Sequence, residues 1–149
     1  MSDYDTDLLL WSERQAALLR RAAAGERVND QVDWENVAEE IESLGKSDRR
    51  ELTNRIRTIL TYLIKLQTSP ATEPRPGWHE TIREQRAVIE TVLDDSPSLR
   101  SIVPAIVSKY LPAARREALD SLADHNEQPL MDPAGLEFTA DQVLGPWMP

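Results

Sequence analysis

The chain has 149 residues, 40% hydrophobic and 29% charged, with a formal net charge of −9 and no cysteine. That length and balance specify a single globular domain over 1–149 with a core of its own, not a disordered chain. The missing thiols exclude disulfides, thiolate zinc sites, iron–sulfur clusters and a cysteine nucleophile, and fit a reducing cytoplasm.

Helix periodicity dominates from the start. Leu8, Trp11, Gln15, Leu18 and Ala22 recur at spacings of three and four, widened by Leu9, Leu10 and Leu19, and predict a helix over 6–24. Asp5 or Thr6 is placed to cap it, and Gly25 to end it. A second helix is expected after Asp33, with Trp34, Val37, Ala38, Ile41 and Leu44 on its apolar face and Gly45 as its stop. Ser47 or Asp48 then restarts the chain into a third helix. Its Leu52, Ile56, Ile59, Leu63 and Leu66 make it the most buried of the set.

The prolines of Ser69–Gly77 predict a loop, with a fourth helix starting near Trp78. A fifth segment from Pro97 to about Leu122 carries Pro104 and Pro112, which predict kinks or a split. The acidic, Pro-rich tail over 123–149 holds too many apolar groups to leave in water and should wrap back over the bundle. Thr139 and Gln142 have capping-box spacing, which places a short helix near 140–145. The expected fold is all-α: about five main helices around one core plus a short C-terminal helix, with helices two and three forming a hairpin.

The acidic N-terminus lacks the basic start of a secretory signal, and no apolar run approaches the ~20 residues of a membrane helix. A soluble, cytoplasmic protein without membrane contact is expected.

Charge is unevenly spread. Glu26–Gly45 holds seven acids and one base, Lys46–Lys65 six bases and two acids, and Glu117–Pro149 seven acids with no Lys or Arg. The overall sign argues against a nucleic-acid partner, since phosphate binding needs a cationic face. Lys46, Arg49, Arg50, Arg55 and Arg57 keep it as a weak alternative.

The run Val37-Ala38-Glu39-Glu40-Ile41-Glu42-Ser43-Leu44-Gly45-Lys46-Ser47-Asp48-Arg49-Arg50-Glu51-Leu52 resembles a signature of a bacterial family, the domain-of-unknown-function family numbered 29. Trp78-His79-Glu80-Thr81-Ile82-Arg83-Glu84-Gln85-Arg86 and Asp95-Ser96-Pro97-Ser98-Leu99 follow in that family's order and spacing. The resemblance spans Tyr4 to Trp147 and implies an all-helical fold, with no activity to carry over. The family often shows a histidine and a tryptophan on its third helix, where this chain has Tyr62 and Leu66. Chemistry resting on that histidine would be missing here.

The residues themselves offer little catalytic chemistry. A carboxylate-bridged metal site needs Glu-x-x-His pairs, and the residues three before His79 and His125 are Pro76 and Leu122. His79-Glu80-Thr81-Ile82-Arg83 resembles a zincin motif only until Arg83. No metal and no cofactor are therefore expected, and no phosphate loop or nucleophile elbow is present.

The candidate polar cluster is Glu39, Glu40, His79, Arg83 and Arg86. It is either a site for proton chemistry or a structural ion-pair network. Separately, Glu39, Glu40 and Glu42 precede Lys46, Arg49 and Arg50 across the turn at Gly45, and in a hairpin these opposite charges would face one another as exposed ion pairs. Trp11, Trp34 and Trp78 are expected in the core. Trp147 either anchors the tail or is offered to a partner. The leading expectation is a protein-interaction or regulatory module, with a basic partner surface or self-association. An enzyme using the Glu/His/Arg cluster is the alternative.

Overall fold

The computed structural model describes residues 3–149. Among them the chain is all-α: α1 (Asp3–Thr6), α2 (Leu8–Ala23), α3 (Trp34–Thr68), α4 (Arg75–Asp95), a 3-10 turn (Pro97–Ile102), α5 (Val103–Asp124), a second 3-10 turn (Pro133–Gly135) and α6 (Ala140–Leu144). The described residues form two compact units, one ending at Ser47 and the other covering Asp48–Pro149.

In the first unit the expected helix over 6–24 is broken at Asp7. Asp7 adopts φ −149°, and its carboxylate accepts the Leu10 N–H at 3.0 Å, so Asp7 caps α2 where Asp5 or Thr6 was expected. Gly25 does end α2, at φ +95°. The Gly25 and Glu26 N–H groups reach back to the Ala22 and Arg21 carbonyls at 3.0 and 3.1 Å, the paired bonds of a left-handed helix stop.

Gly45 is not a stop. The second and third expected helices are one helix of 35 residues, α3, and the hairpin between them does not exist. Positive φ among the described residues belongs to Gly25 and Asn126, so Gly45 keeps helical geometry. An internal glycine costs about 1 kcal/mol relative to alanine, which the good helix formers on either side outweigh. The Glu-rich and Arg-rich stretches are thus successive turns of one helix and do not face each other across a turn.

The second unit is built on the C-terminal half of α3. Leu52, Ile56, Ile59, Leu60, Leu63 and Ile64 are wholly buried there, which makes α3 the centre of the core. Ile82 and Ile89 of α4, Val103 and Ala118 of α5, and Val143 of α6 close around it. The Arg75 guanidinium donates to the Leu66 carbonyl at 2.6 Å, close to the α3 C-terminus.

α4 begins at Arg75, three residues before the expected start. Pro76 falls in its first turn, where a missing N–H is harmless. The proline segment splits as expected into the 3-10 turn and α5, with Pro104 in the first turn of α5 and Pro112 inside it. Asn126, at φ 56°, ends α5.

The tail returns onto this unit. Leu130 N–H donates to the Thr68 carbonyl at 2.8 Å, and Arg115 donates to the Leu136 carbonyl at 2.5 Å. The Thr139–Gln142 capping box starts α6. Trp147 is partly buried against the core of this unit, with its ring centroid 6.1 Å from that of Phe138.

Candidate functional site

In the first unit, polar contacts tie α2 to the start of α3. Trp11 Nε1 donates to Asp33 Oδ2 at 3.0 Å, and the Asp33 N–H donates to Gln15 Oε1 at 2.8 Å. The Tyr4 hydroxyl donates to Glu40 Oε1 at 2.7 Å, while its ring meets Trp11 edge-on at 4.8 Å. That hydrogen bond, with the nearby charges of Glu39 and Asp5, pushes the Tyr4 phenol up to about 12.

The apolar interior of this unit is small. Trp11, Val28 and Val32 are its buried hydrophobic residues. Against them stand Leu8, Leu9, Leu10, Trp34, Ile41 and Leu44, all exposed, with Leu9 at 70%, Ile41 at 64% and Leu44 at 71%. Trp34, expected in the core, is half open to solvent, and its indole N–H donates to the Asn29 carbonyl at 2.9 Å.

Leu8, Leu9 and Leu19 of α2 and Val37, Ile41 and Leu44 of α3 line one apolar groove of about 670 Å3. Glu40 is the charged residue on its lining. The chain as far as Ser47 carries eleven Asp or Glu and five Lys or Arg, a net of −6, so an apolar groove sits in an acidic setting.

The five residues of the expected polar cluster divide between the units. Glu39 is exposed on α3 and Glu40 is half-buried under Tyr4. His79, Arg83 and Arg86 stand on α4, with His79 half-buried and Arg83 exposed. Arg86 donates through Nε to the Val143 carbonyl at 2.8 Å and through Nη2 to the Gln142 and Trp147 carbonyls, both at 2.7 Å. Burial pulls the Arg86 guanidinium below its ordinary value. Arg83 and Arg86 line a common cleft, joined by Arg100, which the sequence did not single out.

The basic stretch of α3 is partly committed to the fold. Arg55 bonds Gln85 at 3.2 Å and pairs with Glu51 at 3.6 Å, and Arg57 lies over the Tyr110 ring at 5.3 Å. Lys46, Arg49 and Arg50 are exposed. Among the described residues, no group of three His, Asp or Glu side chains is placed to hold a metal ion, and no helix is long and apolar enough to cross a membrane.

Residues 4–148 match the family described as Domain of unknown function DUF29. The chain belongs to DUF29. No curated protein and no solved structure matches it. The resemblance carried by the Val37–Leu52 and Trp78–Arg86 runs therefore holds over almost the whole chain, and with it the all-helical fold. DUF29 membership supplies no activity, which leaves the surfaces of this DUF29 chain as the guide to function. One sign of the open groove is legible in the sequence, which otherwise does not reveal it: Leu8-Leu9-Leu10 puts apolar groups on more of α2 than one buried stripe can use.

Proposed function

We propose that this DUF29 chain is a protein-interaction module whose α2–α3 groove receives the apolar face of a helix with basic flanks from a partner protein. One observation carries the reading: the unit ending at Ser47 exposes more large apolar side chains than it buries. Isolated proteins rarely leave contiguous apolar surface of this kind in water, and rimmed patches mark interaction sites. Amphipathic helices dock in such grooves through side chains at helical spacing. Covering Leu9, Ile41 and Leu44 contributes on the order of 1–2 kcal/mol each.

Charge selects the occupant. A second copy would bring another unit of net −6 against the first, so like charges oppose self-association through this face. Basic flanks on a partner helix would instead meet the acidic setting and speed encounter at low salt.

Two synthetic helical peptides with the same leucine face, one flanked by Lys and one by Glu, test this. The Lys peptide is expected to shift the amide signals of Leu8, Leu9, Ile41 and Leu44 saturably. A Leu9→Glu/Leu44→Glu variant should abolish those shifts while its circular dichroism stays native. Equal binding of both peptides, or shifts elsewhere in the chain, would overturn the proposal. So would a concentration-dependent dimer in light scattering that Leu44→Glu dissolves, which would assign the groove to a second copy.

A further inference from the structure

A second opening lies wholly within the Asp48–Pro149 unit, bordered by α4, the Pro97–Ile102 turn and the C-terminal segment, with a volume of about 530 Å3. Arg83 and Arg86 of α4 and Arg100 of the turn line it, against one carboxylate, Glu90. The remainder is largely apolar, including Leu93, Leu144 and Met148.

The three guanidinium groups have different duties. Arg86 is occupied: its bonds to the Gln142, Val143 and Trp147 carbonyls hold the C-terminal wall of the cleft in place. Arg83 and Arg100 make no ion pair and no side-chain hydrogen bond among the described residues, and Glu90 pairs with neither. Two unpaired cations beside a third, over an apolar floor, leave a local surplus of positive charge in a chain of net −9.

Guanidinium forks match the paired oxygens of a carboxylate or phosphate, with strong, directional charge-assisted hydrogen bonds. The volume falls in the range of small-molecule sites, which combine apolar walls with a few placed polar groups. It greatly exceeds what a bare inorganic anion fills.

The geometry points to a binding site for a small amphiphilic anion: a carboxylate or phosphate head on Arg83 and Arg100, and an apolar body against Leu93, Leu144 and Met148. This site is independent of the α2–α3 groove and of any partner that groove takes.

Octanoate, octyl phosphate, octyltrimethylammonium and inorganic phosphate, each below micelle-forming concentration, are the probes, followed by amide chemical shifts. Octanoate or octyl phosphate is expected to shift Leu93, Leu144 and Met148 saturably, and the tighter of the two identifies the head. Inorganic phosphate should bind at least tenfold more weakly, and the cation not at all. Arg83→Gln with Arg100→Gln should weaken binding at least tenfold with an unchanged melting temperature, since both side chains are exposed and unpaired. Equal binding of the cationic probe, equal binding of inorganic phosphate, undiminished binding by the double variant, or shifts confined to Leu8–Leu44 would each overturn the site.

Discussion

Trp11 and Asp33, 22 positions apart, are joined by a single hydrogen bond of 3.0 Å that ties α2 to the residue preceding α3. The same carboxylate accepts from the Asn36 side chain at 2.8 Å. Those bonds favour the charged form and hold Asp33 below its ordinary 3.8. In a unit with little apolar interior, polar contacts of this kind link α2 to the chain entering α3.

Asp33→Ala removes the acceptor of the Trp11 indole and of the Asn36 side chain together. Melting temperature is expected to fall by about 3 °C, as for loss of a side-chain hydrogen-bond acceptor with two donors in a chain of this size. The sign of the pH dependence follows from the lowered value. A carboxylate that is more acidic in the folded state contributes its full stability above 3.8 and loses it as pH falls through the folded value. The gap between wild type and variant should therefore be constant near neutrality and narrow in acid. A gap that widens in acid would reverse the assignment.

Tyr4 supplies the alkaline counterpart. Its phenol is raised from 10.0 to about 12, chiefly by donating to Glu40. A raised value means the bond stabilises the fold fully below pH 10.0, and that this contribution is lost as pH climbs through about 12. In a Tyr62→Phe/Tyr110→Phe background, tyrosinate absorbance reports Tyr4 alone. Its midpoint should drop toward 10.0 in Glu40→Ala; an unmoved midpoint would show that Glu40 is not the cause.

Much of the fold was legible in the sequence because it rests on local patterns: the heptad of Leu52 to Leu66, the Thr139–Gln142 box and the glycine stop at Gly25. Gly45 shows where such reasoning ends. A glycine after Leu44 is compatible with a stop or with passage, and only the summed propensity of a long run decides. The stripe from Trp34 to Leu44 shows a second limit. Periodicity reports that a helix has an apolar face, but not whether the same chain covers it. Of the polar cluster, Arg83 and Arg86 were recognisable by sharing one helix. Arg100 comes from a different element, and the partners of Arg86 are backbone carbonyls more than 50 residues away in sequence, which no side-chain pattern signals.

Arg86 serves as the latch of the C-terminal segment. Arg86→Ala leaves the Gln142, Val143 and Trp147 carbonyls without that donor. Losing a partly buried charged donor of this kind costs about 2 kcal/mol, or roughly 4–8 °C in melting temperature. Amide exchange near Gln142–Trp147 should accelerate more than exchange in α3. Arg86→Lys should fail to restore protection, because an ammonium lacks the planar fork that spans three acceptors. Full restoration by lysine would reduce Arg86 to a point charge.

Gly45 and Gly25 make a paired test of the continuous α3. An added Cβ at Gly45 meets no atom within 4 Å, and its backbone is already helical. Gly45→Ala should therefore stabilise the protein by about 1 kcal/mol, raising the melting temperature roughly 2–4 °C. Gly25 also has open space around it but sits at φ +95°, which an L side chain rarely adopts. Gly25→Ala should accordingly destabilise by about 1 kcal/mol. Steric room is equal at the two sites, so the opposite signs isolate backbone conformation as the cause. If Gly45→Ala lowers the melting temperature as Gly25→Ala does, then α3 breaks at Gly45 in solution, and the face carrying Ile41 and Leu44 belongs to a separate helix.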